Sequence, residues 1–333
     1  MNRGKVALFI GADITAHLVL NKIVPEFKNA GYTPVVYLPK HKASPKANQP
    51  ELREAAFYER HLTNNVVYPF LEKNPAKNPD FLSPSALAEK EKVHLEYIDN
   101  VNDVNFVTRL KNDAAYVGAL SVRCFQIFKP EIINVFKERE FFLNSHPGVL
   151  PTYKGVLSTV RAMASAEREY GWTLHEVDEG IDTGDILWVK AKKMDLSKTG
   201  LMANIDMAMI GADSIKRAID ELKEGNVLKG YPQDSSKGAY YSYPTREELN
   251  EWNSIGLRLA DAEETRNVLV EKFSNATTPH GKKLSAEIEK AIDCWKLEQS
   301  EQAPCFASMF SPPMNTLPPP RKRPSTSNQI VPA

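Results

Sequence analysis

Three polar side chains of complementary chemistry are spaced so that they could act together. Asn144 and His146 stand two residues apart in Asn144-Ser145-His146-Pro147-Gly148-Val149-Leu150-Pro151, and Asp182 follows in the acidic turn Asp178-Glu179-Gly180-Ile181-Asp182-Thr183-Gly184. In an extended segment residues i and i+2 point to one side, so the amide and the imidazole face one volume. Two such groups aimed at one point can stabilise a developing oxyanion. A carboxylate beside the imidazole sets its protonation and can receive a proton through it or through water. This is acyl-transfer machinery without a protein nucleophile: Ser145 alternates to the opposite side, and no nucleophile-elbow glycine pattern surrounds it. The same spacing also suits a buried turn in which Asn144 and His146 satisfy backbone groups and Asp182 caps a loop. Spacing alone leaves both readings open. His175, Glu176 and Asp178 lie nearby, but without HExxH spacing no metal site is expected.

The elements that would position these groups read as an α/β protein. Val6 to Ile10 is a continuous apolar run ended by Gly11, as a buried parallel strand reads, and apolar residues at helical spacing follow over 14–27. A single glycine after that strand is not a dinucleotide fingerprint. A second strand over 33–39 completes a right-handed βαβ unit. Residues 40–92 form an insertion too long for a plain α/β connection, with a helix expected over 50–72, a proline-marked loop over 75–84 and a short helix over 86–92. Strands are expected over 93–99 and 114–120, separated by a short helix over 104–110. The loop after the second of these carries Phe125, Gln126, Ile127 and Phe128, and loops at the carboxyl ends of central strands border the ligand crevice of such sheets. Phe141-Phe142-Leu143 is a brief strand leading into Asn144. A helix is expected over 158–168, and 171–177 and 186–191 are strands joined too tightly for a crossover helix, hence antiparallel. A long amphipathic helix over 199–223 closes this part. Beyond Gly225 the character changes. Tyr240-Tyr241-Ser242-Tyr243 is an aromatic segment, Thr245-Arg246-Glu247-Glu248 a capping box, and 283–297 a charged helix. The expected organisation is a catalytic domain over 1–225 carrying the 40–92 insertion, a small mainly helical subdomain over 226–300, and a disordered proline-rich tail over 301–333 that contains Arg321-Lys322-Arg323.

Composition narrows the function class. Lys plus Arg (42) equals Asp plus Glu (42), so no basic field advertises a phosphate backbone, and a nucleic-acid partner is disfavoured. Cys124, Cys294 and Cys305 lack CxxC spacing and suggest neither a disulfide framework nor a zinc cluster, which points to a reducing, cytoplasmic setting. The N-terminal apolar run is too short for a signal sequence, and no run reaches membrane-spanning length, so no membrane partner is expected. A homodimer stays open.

The motif Asn144-x-His146-Pro147-Gly148-Val149-Leu150-Pro151-x-Tyr153-Lys154-Gly155, followed by Thr173-x-His175-x-Val177-Asp178-Glu179-Gly180-Ile181-Asp182-Thr183-Gly184-Asp185-Ile186-Leu187, resembles the 10-formyltetrahydrofolate-dependent formyltransferase family. The resemblance spans roughly 5–223 and is strongest over 121–191. It implies a Rossmann-like formyltransferase fold, a mostly parallel twisted sheet flanked by helices, with 10-formyltetrahydrofolate as formyl donor and no metal. It further implies that an acceptor amine attacks the formyl carbon, that Asn144 and protonated His146 hold the oxyanion, and that Asp182 orients His146 and an ordered water. The pterin would lie between the loop of Phe125, Gln126, Ile127 and Phe128 and a second wall of Val177, Asp178, Gly180 and Ile181. No glycine-rich phosphate loop follows the first strand, which argues against a glycinamide ribonucleotide acceptor. The neutral charge and the helical pattern after 226 disfavour methionyl-tRNA, which stays as an alternative. The leading expectation is a small-molecule amine acceptor, a nucleotide-linked amino sugar or a hydroxylated amino acid. A non-catalytic folate-binding module is the reading from another class. The 40–92 insertion and the 240–252 segment match no pattern of the family.

Overall fold

The computed structural model describes residues 2–40, 44–165, 167 and 169–300; the expected disordered tail over 301–333, with its Arg-Lys-Arg cluster, lies outside the described residues. The described residues up to Asp293 form one compact unit. In chain order the elements are β1 (Gly4–Ile10), α1 (Ile14–Asn29), β2 (Tyr32–Pro39), α2 (Pro50–Ala56), two π-helical turns (Phe57–His61 and Thr63–Val67), α3 (Tyr68–Lys73), α4 (Pro84–Glu91) and β3 (His94–Ile98). Next come α5 (Val104–Asn112), β4 (Tyr116–Val122), α6 (Pro130–Lys137), β5 (Phe141–His146), β6 (Tyr153–Gly155), α7 (Ser158–Ala164), β7 (Glu169–Glu176) and β8 (Ile186–Lys193). The chain continues through α8 (Gly200–Glu224), β9 (Ala239–Tyr241), α9 (Arg246–Ser254), α10 (Ala262–Phe273) and α11 (Pro279–Gln299).

Seven strands form one sheet in the order β3-β2-β1-β4-β5-β7-β8. It is parallel from β3 to β5, and the last two strands run antiparallel, as the short connection between them requires. Side chains of β1 alternate between two cores. Val6, Leu8 and Ile10 join the layer containing α1 and α8, whereas Ala7 and Phe9 join the layer of α5 and α6. The apolar run at the N-terminus is thus a strand buried on both faces, with its carboxyl end held at the centre of the sheet. Because β2 lies to one side of β1 and β4 to the other, the loops after β1 and β4 separate there, which opens the crevice where ligands of such sheets bind. Among the described residues no helix is long and apolar enough to cross a membrane.

The helix expected over 50–72 is present, but it is interrupted by the two π turns. Tyr58 and Thr63, and likewise Leu62 and Val67, are buried at five-residue spacing, which a π turn keeps on one face and a 3.6-residue helix does not. The strand leading into the motif is longer than expected, so Asn144 and His146 belong to β5 itself. Two short elements, β6 and β9, pair in parallel as a separate ribbon; three residues each is too few to show periodicity in sequence.

Under α1, His17 is 1% exposed; Tyr68 Oη lies 2.8 Å from its Nδ1, and its Nε2 has no partner among the described residues. Burial pulls its imidazole down to about 4, against the smaller opposing pull of Asp13. The folded state therefore keeps His17 neutral between pH 6.5 and 4, where the unfolded chain takes up a proton, so stability falls as pH drops through that window. At about 1.4 kcal/mol per pH unit the loss approaches about 3 kcal/mol near pH 4. Urea unfolding at pH 7 and 4.5 should show the fall. Equal unfolding free energies at the two values would contradict it.

Candidate active site

The carboxyl end of β5 presents Asn144 and His146 on one side, while Ser145 points to the other and accepts a 2.7 Å hydrogen bond from Trp172 Nε1. In the antiparallel register His175 of β7 lies directly opposite Asn144. The loop between β7 and β8, closed by Glu176 N–H donating to the Asp185 carbonyl at 2.8 Å, folds Asp182 back over both strands. Asp182 takes a left-handed backbone (φ 54°), a conformation that short polar side chains tolerate.

Four groups converge on this carboxylate. Asn144 Nδ2 donates to Oδ1 at 3.3 Å, and Gly155 N–H donates to Oδ2 at 2.8 Å. His146 Nδ1 lies 3.5 Å from Oδ2, and His175 Nε2 lies 3.5 Å from Oδ1. Burial alone would raise the Asp182 carboxyl, but the attraction of the two imidazoles when protonated, together with the Gly155 amide, outweighs it and holds it well below the usual carboxylate range. Asp182 is an anion throughout the neutral range. The His146 imidazole, 4% exposed, is pulled down by burial against the attraction of Asp182. Its Nε2 sits 2.8 Å from the Tyr153 carbonyl, which can only accept, so the proton of the neutral ring is on Nε2 and Nδ1 faces Asp182 bare. A proton arriving at Nδ1 would find the carboxylate beside it. His175 Nδ1 lies 2.7 Å from the Glu176 carbonyl, so its Nε2 accepts from Asn144 Nδ2 at 3.1 Å in the neutral ring.

Two side chains invite a nucleophilic reading, and the geometry argues against each. Ser158 Oγ lies 3.1 Å from His146 Nε2, giving the order Ser–His–Asp. That nitrogen carries a proton held by the Tyr153 carbonyl, so it has no lone pair with which to activate the hydroxyl. Cys124 lines the same cavity, but burial pushes its thiol up to about 12, which leaves no thiolate at neutral pH.

These groups form one end of a cavity of about 500 Å³. Phe125, Gln126, Ile127 and Phe128 line it from the β4 side, and Val177, Asp178, Gly180 and Ile181 from the β7–β8 loop, so both expected walls face it. Their contributions differ. Ile127 and Ile181 are 63% and 36% exposed and offer apolar surface at the mouth. Gln126 is occupied with the fold: its amide donates to the carbonyls of Lys40 (2.8 Å) and Asp99 (3.0 Å), and its oxygen accepts from Val101 N–H. Phe128 packs edge-on against Phe9 and Phe142. Asp178 accepts from Gly180 N–H and Thr183 Oγ1 and so shapes the loop that carries Asp182.

Sequence reasoning did not include His175, Gly155 or Ser158 in the site. The presence of His175 in the second half of the quoted motif was the available signal for the first. The ribbon of β6 and β9 positions the second: Gly155 has φ 93°, and a Cβ there would sit 2.2 Å from the Tyr241 carbonyl. Gly155→Ala should cost about 1–2 kcal/mol from the left-handed backbone alone and, by moving its N–H from Asp182, lower activity as well. Denaturant unfolding together with steady-state rates checks this; a variant unchanged in both would contradict it.

The segments that matched no pattern also line the cavity. Glu59 and Arg60 from the first π turn, Lys46, and Tyr240 and Tyr243 around β9 face it. Arg161 of α7 locks the latter segment in place. It pairs with Glu248, and its guanidinium lies 4.9 Å from the Tyr241 ring centre and 5.0 Å from that of Trp252. Arg246 of α9 pairs with Glu51 of α2 at 2.7 Å, tying the insertion to the C-terminal helices.

Residues 72–202 match the family described as Formyl transferase. Those 131 of the 333 residues carry the chain's likeness to formyltransferases. Among formyltransferase relatives, the methionyl-tRNA formyltransferase of Dictyoglomus thermophilum is 28% identical over 161 residues, covering 48% of this chain and 49% of the relative. That of Carboxydothermus hydrogenoformans is 34% identical over 152 residues, covering 42% and 47%. The chain spans about half the length of these curated relatives. The crystal structure of WlaRD, described as a sugar 3N-formyl transferase in the presence of dTDP and 5-N-formyl-THF, has a TM-score of 0.50 at 20% identity, covering 74% of this chain and 72% of that chain. That likeness is one of fold and makes this sheet a Rossmann-like formyltransferase fold.

Proposed function

We propose that this protein transfers the formyl group of 10-formyltetrahydrofolate to the amine of a small-molecule acceptor. The observation that carries the reading is the convergence of Asn144, His146 and His175 on an ionised Asp182 at one end of the cavity, with no activated nucleophile among the side chains around them. The acceptor amine is then the attacking group. It adds to the formyl carbon, and the carbonyl electron pair moves onto oxygen. Asn144 Nδ2 turns the N–H that faces His175 onto the oxyanion, and the positive charge that His146 gains at Nδ1 beside Asp182 stabilises it. The ammonium proton passes through His146 and Asp182, or an ordered water, to the departing folate nitrogen. The carbonyl re-forms and tetrahydrofolate leaves. The pterin lies between the backbone of the 125–128 loop and the Val177–Ile181 wall, a reading supported by the engagement of the Gln126 side chain elsewhere.

A methionyl-tRNA acceptor is the second reading, favoured by the names of the curated relatives. The even balance of charge in this chain speaks for the small molecule. Incubation with 10-formyltetrahydrofolate and either a panel of amines or aminoacylated tRNA, with tetrahydrofolate release as the readout, tests both. Folate binding without turnover by any amine or tRNA would instead favour a non-catalytic folate module.

A further inference from the structure

The cavity wall contains two largely buried guanidinium groups in unlike states. Arg123 is fully engaged: Nε donates to both oxygens of Asp13 at 3.0 and 3.1 Å, and Nη2 pairs with Glu59. Arg60 is not. Its side chain is 14% exposed, its nearest carboxylate oxygen is Glu59 Oε2 at 3.8 Å, and its plane lies over the Phe125 ring at 5.5 Å. Its Nε is buried with no hydrogen-bond partner among the described residues. A guanidinium taken out of water with a donor unfilled is costly unless a ligand compensates it.

The backbone that carries it is held in place. Asn64 Nδ2 donates to the Arg60 carbonyl at 2.8 Å and to the Ala12 carbonyl at 3.0 Å, anchoring the π turn to the loop after β1. π turns commonly mark functional positions. Arg60, Lys46 and Tyr243 all lie outside the residues matched to the family.

We infer that Arg60 is an anion-binding residue for the acceptor, and that the acceptor is an amine bearing a carboxylate. This rests on the formyl-transfer reading of the site. The choice of carboxylate follows from the charge around Arg60. Asp13 and Glu59 balance Arg123 and Arg60, and Lys46 on the same cavity adds one positive charge. The cavity's other carboxylates, Asp178 and Asp182, are held by the β7–β8 loop and the His146 side of the site, so a single negative charge completes the local balance. A pyrophosphate would bring at least two negative charges beside Glu59. A carboxylate matches the planar fork of one guanidinium in a bidentate arrangement.

Calorimetric titration, with and without saturating 5-formyltetrahydrofolate, tests this using α-, β- and ω-amino acids against their carboxamides. Ethanolamine phosphate and a dTDP-amino sugar serve as the phosphate probes. At least one amino acid is expected to bind about tenfold or more tightly than its amide and than either phosphate probe. That ratio should collapse toward one in Arg60→Gln and be partly restored in Arg60→Lys, with thermal unfolding confirming that both variants fold. Tightest binding by a phosphate probe, an Arg60-independent ratio, or no binding by any amino acid would overturn the inference. Failure of the folate to bind, with the Arg60-dependent carboxylate preference intact, would overturn the donor reading and leave the anion site standing.

Discussion

Asn144→Ala is expected to lower amine-dependent turnover of 10-formyltetrahydrofolate by about a hundredfold or more, the usual loss when one oxyanion donor is removed. The folded state should survive, because Asp182 keeps the Gly155 N–H and the facing imidazoles as partners. The effect should therefore appear in kcat, with donor affinity changed little, since the amide acts on charge that exists only during the reaction. Asp182→Asn should lower turnover by a similar or larger factor for another reason: it removes the counter-charge that makes His146 Nδ1 a place for a proton. Steady-state kinetics with donor titration separates the two quantities. Full activity in Asn144→Ala would overturn the assignment of the site.

Asp13→Ala is expected to destabilise the fold by about 3–5 kcal/mol, the range for breaking a buried ion pair from one side. Asp13 is fully buried and serves two partners at once: it caps α1 by accepting from Ala16 N–H at 3.0 Å and it binds Arg123. Removing it leaves Arg123 with Glu59 alone and strips the helix of its cap, itself worth about 1 kcal/mol. Asp13→Asn retains an oxygen for the cap and should recover that smaller part only. Urea midpoints for the three proteins measure the differences, and a loss below about 1 kcal/mol in Asp13→Ala, no more than the cap alone, would contradict the account.

Much of this was legible in the sequence, and the reasons are specific. β1 reads correctly because a strand buried on both faces must be continuously apolar, and the spacing of Asn144 and His146 is informative because a strand has a period of two. Alternation alone puts that amide and imidazole on one side of the strand and Ser145 on the other. What the sequence hid depends on contacts distant along the chain. His175 enters the site through strand register, which periodicity within one segment does not encode. Gly155 enters through a three-residue ribbon with β9. The insertion and the segment around Tyr240 matched nothing separately because their role is joint: Glu51 with Arg246, and Arg161 between Glu248, Tyr241 and Trp252, bring them to the cavity. Arg60 is one arginine among many in sequence. Its Nε at the wall of a cavity, unpartnered among the described residues, distinguishes it.

The most direct test of the central claim is a single-turnover measurement. Protein in excess is mixed with 10-formyltetrahydrofolate and a carboxylate-bearing amine, and tetrahydrofolate is followed together with the mass of the amine. The account predicts one tetrahydrofolate for each amine that gains a formyl group, with both appearing at the same rate and both slowed in Asn144→Ala. Tetrahydrofolate released at an unchanged rate in that variant, or released without any gain of mass by the amine, would contradict it.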